Sequence, residues 1–470
     1  MSSKPFSQET ICAPATPPGT GALAVVRLSG PGSVEIAGKM FFPANKALTI
    51  EKTESHRALF GYIRQGDEVI DEVIATLFRA PRSYTGEDIV EFSCHGSPYI
   101  VKRVIELMIE LGARLAHPGE FTQRAFLNGR VDLTQAEAVA DLIAAESQGA
   151  HRIAMEQMRG EFSKTLRNLR GQLLEFISLI ELELDFSEED VEFADREKLN
   201  KLLDSIIETV ENLASSFRLG QVIKKGIPVA IAGKPNAGKS TLLNAILNED
   251  RALVSEIPGT TRDAIEDVLN LKGASFRFID TAGLRHSGDK IEQMGIEKTY
   301  EKIRQAEIIL YVFDINSTDC EALNEELSEF RNQSGIAEQE SEKKLILIAN
   351  KTDQLSETPH HFSELVDKGC IFISAKRKEN IHLIFEALNE YVEAKPSGGD
   401  QVITNVRHYE ALQQTARALS EAREGLRNQI PTDLVATDIR SALYHMGTIT
   451  GEISTDEMLG NIFSNFCIGK

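Results

Sequence analysis

Over about the first 120 residues of this 470-residue chain, some hydrophobic patterns are typical of strands and others are typical of helices. GALAVVRLSG predicts a buried strand that ends near Gly30, and HRALFGYIRQGDEVIDEVIATLF predicts two strands joined by a hairpin turn at Gly66. SPYIVKRVIELMIELG has apolar residues at helical spacing and predicts a helix that stops at Gly112. We therefore predict an α+β domain over residues 1–120.

The pattern then becomes helical, and we predict the first segment of a helical domain over residues 121–218. In LNKLLDSIIETVENLASSF the apolar positions recur in steps of three and four, which places one apolar stripe along a helix. These positions are Leu199, Leu202, Leu203, Ile206, Ile207, Val210, Leu213 and Phe217. Such a stripe needs a partner to cover it, as in a helical bundle.

Short apolar strands alternating with helices follow, and they predict an α/β domain over residues 219–396. The strands are IPVAIAG, SFRFID, IILYVFDIN, KLILIANKTD and CIFISAK. This alternation is typical of a mostly parallel sheet covered on both faces. After the linker EAKPSGGDQ the helical pattern resumes, and we predict a second helical segment over residues 397–470. The predicted fold class is thus α/β multidomain: an α+β domain, a helical domain from two chain segments, and an inserted P-loop domain.

Composition narrows the function classes. The net charge of −20 disfavours non-specific binding to nucleic acid, although a local basic face remains possible. The start of the chain lacks the apolar core of a secretory signal, and no apolar run approaches the length of a membrane span. The five cysteines are scattered without a CxxC pair, so we expect neither a zinc knuckle nor a disulfide framework, but a reducing cytoplasm.

The segment GKPNAGKS matches the phosphate-binding pattern GxxxxGK[ST], from Gly233 to Ser240. It follows a predicted strand and precedes a predicted helix, which is the context that this loop requires. Backbone N–H groups and the positive end of the helix would hold the phosphates. Lys239 would reach the β- and γ-phosphates, and Ser240 would bind Mg²⁺.

Three further motifs predict a guanine nucleotide. In NKTD, the carboxylate of Asp353 can accept hydrogen bonds from N1–H and the 2-amino group of guanine, a donor pair that adenine lacks. SAK, from Ser374 to Lys376, would brace the base. DTAG begins at Asp280, which would hold Mg²⁺ through water, and ends at Gly283, whose N–H would contact the γ-phosphate.

The residue after DTAG is Leu284, where Ras-type GTPases carry a glutamine that orients the attacking water. Hydrolysis therefore needs another group. Arg262 and Arg285 are candidates for an arginine finger, and each is as well explained as a solvated loop charge. Thr260 and Thr261, in GTTRD, offer a hydroxyl to Mg²⁺.

The chain ends in NFCIGK, which leaves three interpretations of Cys467 open: a prenylation site, a reactive thiol, or an idle residue at a helix end. Prenylation is disfavoured because Gly469 and Lys470 do not fit the motif and no polybasic run precedes it.

GKPNAGKS, GTTRD, DTAGLR, NKTD and FCIGK together resemble the tRNA modification GTPases of the MnmE (TrmE) family. ATPPGTGALAVVRLSG, PRSYTGEDIVEFSCHG and HPGEFTQRAFLNGRVDLTQAEAV agree, so the resemblance covers essentially the whole chain. It implies an amino-terminal folate-binding domain that forms a homodimer, and an inserted G domain. It also implies a flavoprotein partner like MnmG. The two would add an aminomethyl- or carboxymethylaminomethyl-type group to the wobble uridine of certain tRNAs, using a 5-formyl- or methylene-tetrahydrofolate carbon unit.

The resemblance also implies site residues. The K⁺ ligands of the family match Asn236, Ser255, Ile257 and Thr260, and K⁺ would replace the charge of an arginine finger. The Mg²⁺ ligands match Ser240 and Thr261. Glu292 would orient water. The folate-contacting residues of the family match Arg27, Glu91, Arg130 and Lys470. The resemblance further implies that Cys467 is needed for modification but not for GTP hydrolysis. Many relatives carry lysine at position 130, so Arg130 offers a planar fork instead of a point charge. Without the family, Arg27 and Glu91 are equally well explained as a structural ion pair.

Motifs and resemblance together predict the full set of contacts to GTP. These residues are Asn236, Ala237, Gly238, Lys239, Ser240, Thr241, Ser255, Glu256, Ile257, Pro258, Gly259, Thr260, Asp280, Thr281, Ala282, Gly283, Asn350, Lys351, Asp353, Ser374, Ala375 and Lys376. A GTP-driven ribosome-assembly or signalling switch is the alternative function. A KH-like GxxG clamp for RNA would favour this alternative, but the sequence contains no convincing one outside the phosphate loop.

Overall fold

A computed structural model of the chain describes residues 9–185, 196–253, 267–279, 300, 303–334, 343–355, 362–394, 402–464 and 466–469. The fold divides into two compact units. The first comprises Met1–Ala144, Ala154–Glu211 and Glu410–Lys470, and the second comprises Ala145–Ile153 and Asn212–Tyr409. No helix in the described ranges is long and apolar enough to cross a membrane.

The strands of the described ranges form two sheets. They are β1 (Ile11–Pro14), β2 (Leu23–Ser29), β3 (Phe41–Pro43), β4 (Arg57–Gln65), β5 (Glu68–Phe78), β6 (Ile89–His95), β7 (Arg114–Leu115), β8 (Ile227–Ala232), β9 (Asp267–Leu271), β10 (Ala274–Ile279), β11 (Ile308–Asp314), β12 (Lys344–Asn350) and β13 (Ile371–Phe372). The first sheet has the order β3-β4-β5-β6-β2-β1-β7, and the second has the order β13-β12-β11-β8-β10-β9.

The helices of the described ranges surround these sheets or pack on one another. They are α1 (Ser33–Met40), α2 (Pro98–Glu110), α3 (Glu120–Leu127), α4 (Leu133–Ile143), α5 (Gln148–Met158), α6 (Glu161–Asp185), α7 (Arg196–Ser215), α8 (Phe217–Lys225), α9 (Lys239–Leu253), α10 (Cys320–Ser334), α11 (Phe362–Asp367), α12 (Ile381–Ala394), α13 (Val406–Arg427), α14 (Thr432–Thr450) and α15 (Asp456–Ser464). A short 3₁₀ turn spans Thr352–Gln354.

The first sheet is antiparallel except where β1 pairs with β7. The predicted strand over GALAVVRLSG is β2, the predicted hairpin is β4–β5, and the predicted helix is α2, so these three predictions are confirmed. One face of the sheet packs against α1 and α2. On the opposite face the directly paired Phe60 and Ile74 are 52% and 46% exposed, so within the described residues this face carries an exposed apolar patch.

The helical part of the first unit is built on α6 and α14, which pack against each other. On α7 the predicted stripe is buried at six positions: Leu199, Leu203, Ile206, Ile207, Val210 and Leu213. The extension of that stripe to Phe217 within one helix is wrong. The helix ends at Ser215, and Phe217 begins α8, where its ring stacks on Tyr409 at 4.5 Å between centroids.

The second sheet is parallel from β8 to β13 except for β9, which pairs antiparallel with β10 at the edge. The five predicted strands are present, and β9 was not predicted. Helices α9 and α12 cover one face, and α10 covers the other. The two units are defined by how densely their residues pack, and they do not test the predicted domain limits. The limits at residues 120, 218 and 396 therefore stay predictions.

Candidate functional site

The phosphate-binding loop spans residues 233–238, between the end of β8 and the start of α9. Gly233 has φ +134°, and a Cβ there would strike the carbonyl oxygen of Val312. Gly238 has φ +97°, and a Cβ there would strike Nδ2 of Asn350. Both positions therefore need glycine, for conformation and for space. Asn236 has φ +64°, a conformation that asparagine tolerates better than most residues.

Lys239 is folded back on this loop. Its Nζ donates to the carbonyl oxygens of Gly233 and Lys234, both at 2.8 Å. Burial lowers the pKa of Lys239 from its ordinary value. Ser240 and Thr241 follow in the first turn of α9, whose free N–H groups and dipole favour an anion.

Asn350, at the end of β12, joins the phosphate-binding loop to the loop after β13. It is 2% exposed, and its Nδ2 donates to the carbonyl oxygen of Ala237 at 2.8 Å. Its Oδ1 accepts from the backbone N–H of Ala375 at 3.0 Å. Sequence reasoning expected Asn350 at GTP but missed this bridging role, which no local pattern signals.

The side chain predicted to recognise the base is held in place by its neighbours. Oδ1 of Asp353 accepts from Oγ of Ser374 at 2.7 Å, and this hydrogen bond lowers the pKa of Asp353. Lys351, at φ +69°, forms an ion pair of 2.7 Å with Asp314, a partner that sequence reasoning missed. Lys376 follows in the same loop as Ser374. The three motifs GKPNAGKS, NKTD and SAK therefore meet at one edge of the sheet.

Several predicted site residues lie outside the described ranges. They are Ser255, Glu256, Ile257, Pro258, Gly259, Thr260, Thr261, Asp280, Thr281, Ala282, Gly283, Glu292 and Lys470, together with Arg262, Leu284 and Arg285. Their assignments stay predictions.

In the first unit, Arg27 and Glu91 are directly paired residues on neighbouring strands β2 and β6. Nε of Arg27 is 2.7 Å from Oε1 of Glu91, with side chains 18% and 24% exposed. The guanidinium lies 5.5 Å from the ring centroid of Tyr84 and 5.4 Å from that of Phe121. This arrangement offers a charged pair and aromatic surface at one place.

Residues 466–469, which we term the tail segment, pack beside that pair. The N–H of Gly119 donates to the carbonyl oxygen of Cys467 at 3.3 Å, and Ile468 forms a β-bridge with Pro118. Arg27 donates to the carbonyl oxygen of Gly469 at 3.5 Å. The side chain of Cys467 is exposed. We use the term tail-binding site for the Arg27–Glu91 pair together with the tail segment that packs beside it.

Arg130 lies beside the loop of residues 83–87, and this loop connects it to the tail-binding site. Its side chain is exposed, and its Cγ would lie 3.2 Å from a Cβ at Gly86. Tyr84, in the same loop, lies under Arg27. The structure thus brings Arg27, Glu91 and the tail segment together, with Arg130 beside the same loop.

A buried ion network below this site was missed. Arg124, 2% exposed, contacts Glu87 at 3.1 Å and Glu120 at 2.9 Å. Arg114 also contacts Glu120, with Nη2 2.7 Å from Oε1, the same oxygen that Arg124 contacts. Burial opposes ionisation of Glu120, but hydrogen bonds from Arg114, the N–H of His117 and Arg124 outweigh it and lower its pKa to about 2. The i,i+4 spacing of Glu120 and Arg124 was the available sequence signal.

Comparison with known proteins matches both units. A model described as "MnmE helical domain" matches residues 133–467, and one described as "GTP-binding protein TrmE N-terminus" matches residues 10–130. A protein named tRNA modification GTPase MnmE from Cytophaga hutchinsonii is 50% identical over 463 residues, covering 98% of each chain. One of the same name from Bacteroides fragilis is 50% identical over 99% of this chain and 100% of its own.

Among solved structures, the G domain of the T. maritima FeoB iron transporter is 27% identical and covers 35% of this chain and 98% of its own. Its TM-score is 0.25, so this similarity supports no assignment. The two family models and the full-length relatives suffice without it, and with the sheets and helices described above they confirm the predicted fold class. The chain belongs to the tRNA modification GTPase MnmE family.

Proposed function

We propose that this chain is a GTP hydrolase that acts in tRNA modification. The observation that carries the proposal is the network in which Asn350 ties the phosphate-binding loop to the loop of Ser374 and Asp353. A strand-to-helix loop of this kind binds phosphates, and an oriented carboxylate at its side selects guanine. Relatives named tRNA modification GTPase, half identical over nearly the full length, support the pathway.

Base selection gives the direct test. Asp353→Asn replaces an acceptor by a side chain that also donates, which suits xanthine, with its carbonyl at position 2, better than guanine. We expect the variant to lose GTP hydrolysis and to hydrolyse xanthosine triphosphate instead, measured as released phosphate. Asp367→Asn, on the nearby helix α11, is the matched control. Unchanged GTP preference in Asp353→Asn would refute the assigned base site.

For hydrolysis, we propose that Mg²⁺ is held by Ser240 and Thr261, and that K⁺ is held by Asn236, Ser255, Ile257 and Thr260. The described part fits this assignment, since Ser240 lies in the first turn of α9 and Asn236 lies exposed in the loop before it. K⁺ would supply positive charge near the phosphates, and Glu292 would orient water.

Hydrolysis rates in KCl and NaCl of equal ionic strength test the cation. We expect a marked excess in KCl that Asn236→Ala reduces. Equal rates in both salts would exclude K⁺ activation while leaving GTP binding intact.

For the tail-binding site, we propose a tetrahydrofolate carbon-unit donor, held by Arg27, Glu91, Arg130 and Lys470. The fit rests on chemistry: Glu91 can accept from an amino-substituted heterocycle, Tyr84 and Phe121 offer aromatic surface, and the arginines suit a carboxylate. Calorimetry with 5-formyltetrahydrofolate should show binding that Glu91→Gln weakens and that exposed Glu35→Gln does not. Binding that ignores Glu91→Gln would reject the site.

Within this proposal, Cys467 takes part in modification and not in GTP hydrolysis. Its thiol is exposed, and it lies two residues before Gly469, whose carbonyl oxygen accepts from Arg27; the thiol can act as nucleophile or acid/base. Mass spectrometry of tRNA from cells that carry Cys467→Ser should show unmodified wobble uridine, whereas the purified variant keeps its GTPase rate. Normal wobble modification in that strain would remove Cys467 from the chemistry.

We further propose a cytoplasmic homodimer that works with an MnmG-like FAD protein on tRNA. The uncovered sheet face around Phe60 and Ile74 supports self-association, since large exposed apolar patches favour an interface. Sedimentation of Phe60→Asp should show a shift toward monomer. A wild-type chain that sediments as a monomer at all concentrations would contradict the dimer.

A further inference from the structure

A cavity of about 330 Å³ adjoins the phosphate-binding loop. Its wall includes Lys234 and Lys239 from the loop and its helix, Tyr311 from β11, and Glu326 from α10. The predicted phosphate-binding lysine and a glutamate therefore line the same cavity. A carboxylate in that position works against the binding of a nucleotide polyphosphate unless a cation neutralises it.

Lys234 is that cation. Its Nζ lies 2.6 Å from Oε1 of Glu326, whose side chain is only 9% exposed. The second oxygen, Oε2, accepts from the hydroxyl of Tyr311 at 3.3 Å. The side chain of Lys234, by contrast, is 65% exposed to solvent. The pair thus joins a nearly buried carboxylate to an exposed cation on the loop itself.

Losing the two partners would have opposite consequences. Without Lys234, the carboxylate of Glu326 lacks its cation partner in a wall that also includes Lys239. It would then repel phosphates and attract the Lys239 ammonium away from the carbonyl oxygens of Gly233 and Lys234 that now hold it. Without Glu326, the wall loses a negative charge and Lys234 is freed as an additional cation.

We propose that Lys234 is a positioning residue for nucleotide binding, which acts by neutralising Glu326 so that Lys239 stays held on the phosphate-binding loop by the carbonyl oxygens of Gly233 and Lys234. The inference rests on the proposed GTP site and adds a residue to it. It predicts an asymmetry: substitution of Glu326 corrects the defect caused by substitution of Lys234. A pair that merely fastened the loop to α10 would instead make both single variants equally poor and leave the double variant uncorrected.

The test is titration of the full chain with a fluorescent N-methylanthraniloyl GDP. We expect Lys234→Met to bind about tenfold more weakly, a modest loss because the lysine of the pair is exposed. Glu326→Gln should bind at least as tightly as wild type, and the double variant should follow Glu326→Gln. Lys234→Arg, which keeps the charge, should bind more tightly than Lys234→Met.

Glu329 provides the matched control. It lies one turn further along α10, lines the same cavity, and accepts from Nε2 of Gln333 at 2.8 Å. Glu329→Gln should therefore leave the defect of Lys234→Met uncorrected. Circular dichroism of each variant establishes that it is folded, and Lys234→Gln replaces Lys234→Met should the latter fail to fold.

The outcomes separate the inference from the function beneath it. A wild-type chain that binds no guanine nucleotide refutes the proposed function. A wild type that binds, combined with normal binding by Lys234→Met, equal losses in both single variants, or correction by Glu329→Gln, overturns only the role of Lys234.

Discussion

The phosphate-binding loop is made from consecutive residues, whereas the tail-binding site joins Arg27 to Gly469 across 442 positions of the chain. The loop depends on its backbone conformation, with positive φ at Gly233 and Gly238. In the tail-binding site, side-chain charges dominate, with a buried ion network below them. Backbone strain should therefore break the first site, and loss of charge should break the second.

The largest expected effect is the loss of Arg124 from the ion network. Arg124→Leu removes this partner from the buried carboxylate of Glu120 and the half-buried carboxylate of Glu87, which costs about 3–5 kcal/mol of stability in the first unit. Urea unfolding followed by circular dichroism measures the loss, and hydrogen exchange of peptides from residues 83–130 localises it.

The control for that change is Arg57→Leu. Its ion pair with Glu54 is exposed, at 68% and 78% for the two side chains, so we expect a loss below about 1 kcal/mol. A similar loss in both variants would mean that burial of the network is unimportant and that the tail-binding site rests on something other than charge.

Acid should weaken the first unit through the same network. The pKa of Glu120 is about 2 in the folded chain and near 4.5 when unfolded. Its contribution is therefore fully present above about pH 4.5 and is lost as the pH falls toward 2. By linkage this contribution is about 3 kcal/mol. Urea midpoints from pH 6 to pH 3 should fall more steeply in wild type than in Glu120→Gln; parallel curves would contradict the assigned pKa.

The nucleotide site should respond to backbone strain in its phosphate-binding loop. Gly233→Ala places a Cβ against the carbonyl oxygen of Val312 at φ +134°, and strain of about 2–3 kcal/mol corresponds to about a hundredfold weaker GDP binding. Gly369→Ala separates conformation from space, because Gly369 has φ +72° but nothing within 4 Å of a Cβ. We expect that control to lose stability of about 1 kcal/mol and no nucleotide affinity. Equal effects at both glycines would show that the contact with Val312 is irrelevant.

The same contrast explains what the sequence could predict. Strands β8, β10, β11 and β12 are apolar runs between turn signals, and the phosphate-binding loop is a contiguous pattern, so local residues determine both. Strand β9, DVLNL, mixes polar and apolar residues because it lies at a sheet edge and pairs on one side only. Its strand character depends on β10, and a local pattern could not reveal it.

Contacts between distant residues were beyond local reasoning. The bridge from Asn350 to Ala237 spans 113 positions, and the bond from Arg124 to Glu87 spans 37. An ion pair of Arg27 and Glu91 was one interpretation of the sequence, but only the register of β2 and β6 brings the two residues together. The family resemblance supplied their proposed role in folate binding, which the residues alone left open against a structural ion pair.

The smallest effect tests whether the two sites are independent. Gly469 has φ +96°, and a Cβ there would strike the carbonyl oxygen of Pro14. Gly469→Ala should therefore loosen the tail segment at a cost of about 1–2 kcal/mol, which raises local exchange rates about tenfold. The reporter is hydrogen exchange at the N–H of Gly119, now bonded to the carbonyl oxygen of Cys467.

Gly460→Ala is the matched control for the tail, since Gly460 lies within helix α15 and a Cβ there meets nothing within 4 Å. It should leave exchange at Gly119 unchanged, because alanine suits a helix interior. GDP affinity should be the same in both variants, since the nucleotide site is built from its own loop and strands. Weaker GDP binding in Gly469→Ala alone would show that the tail and the nucleotide site are energetically coupled, and the separation drawn between a backbone-built and a charge-built site would fail.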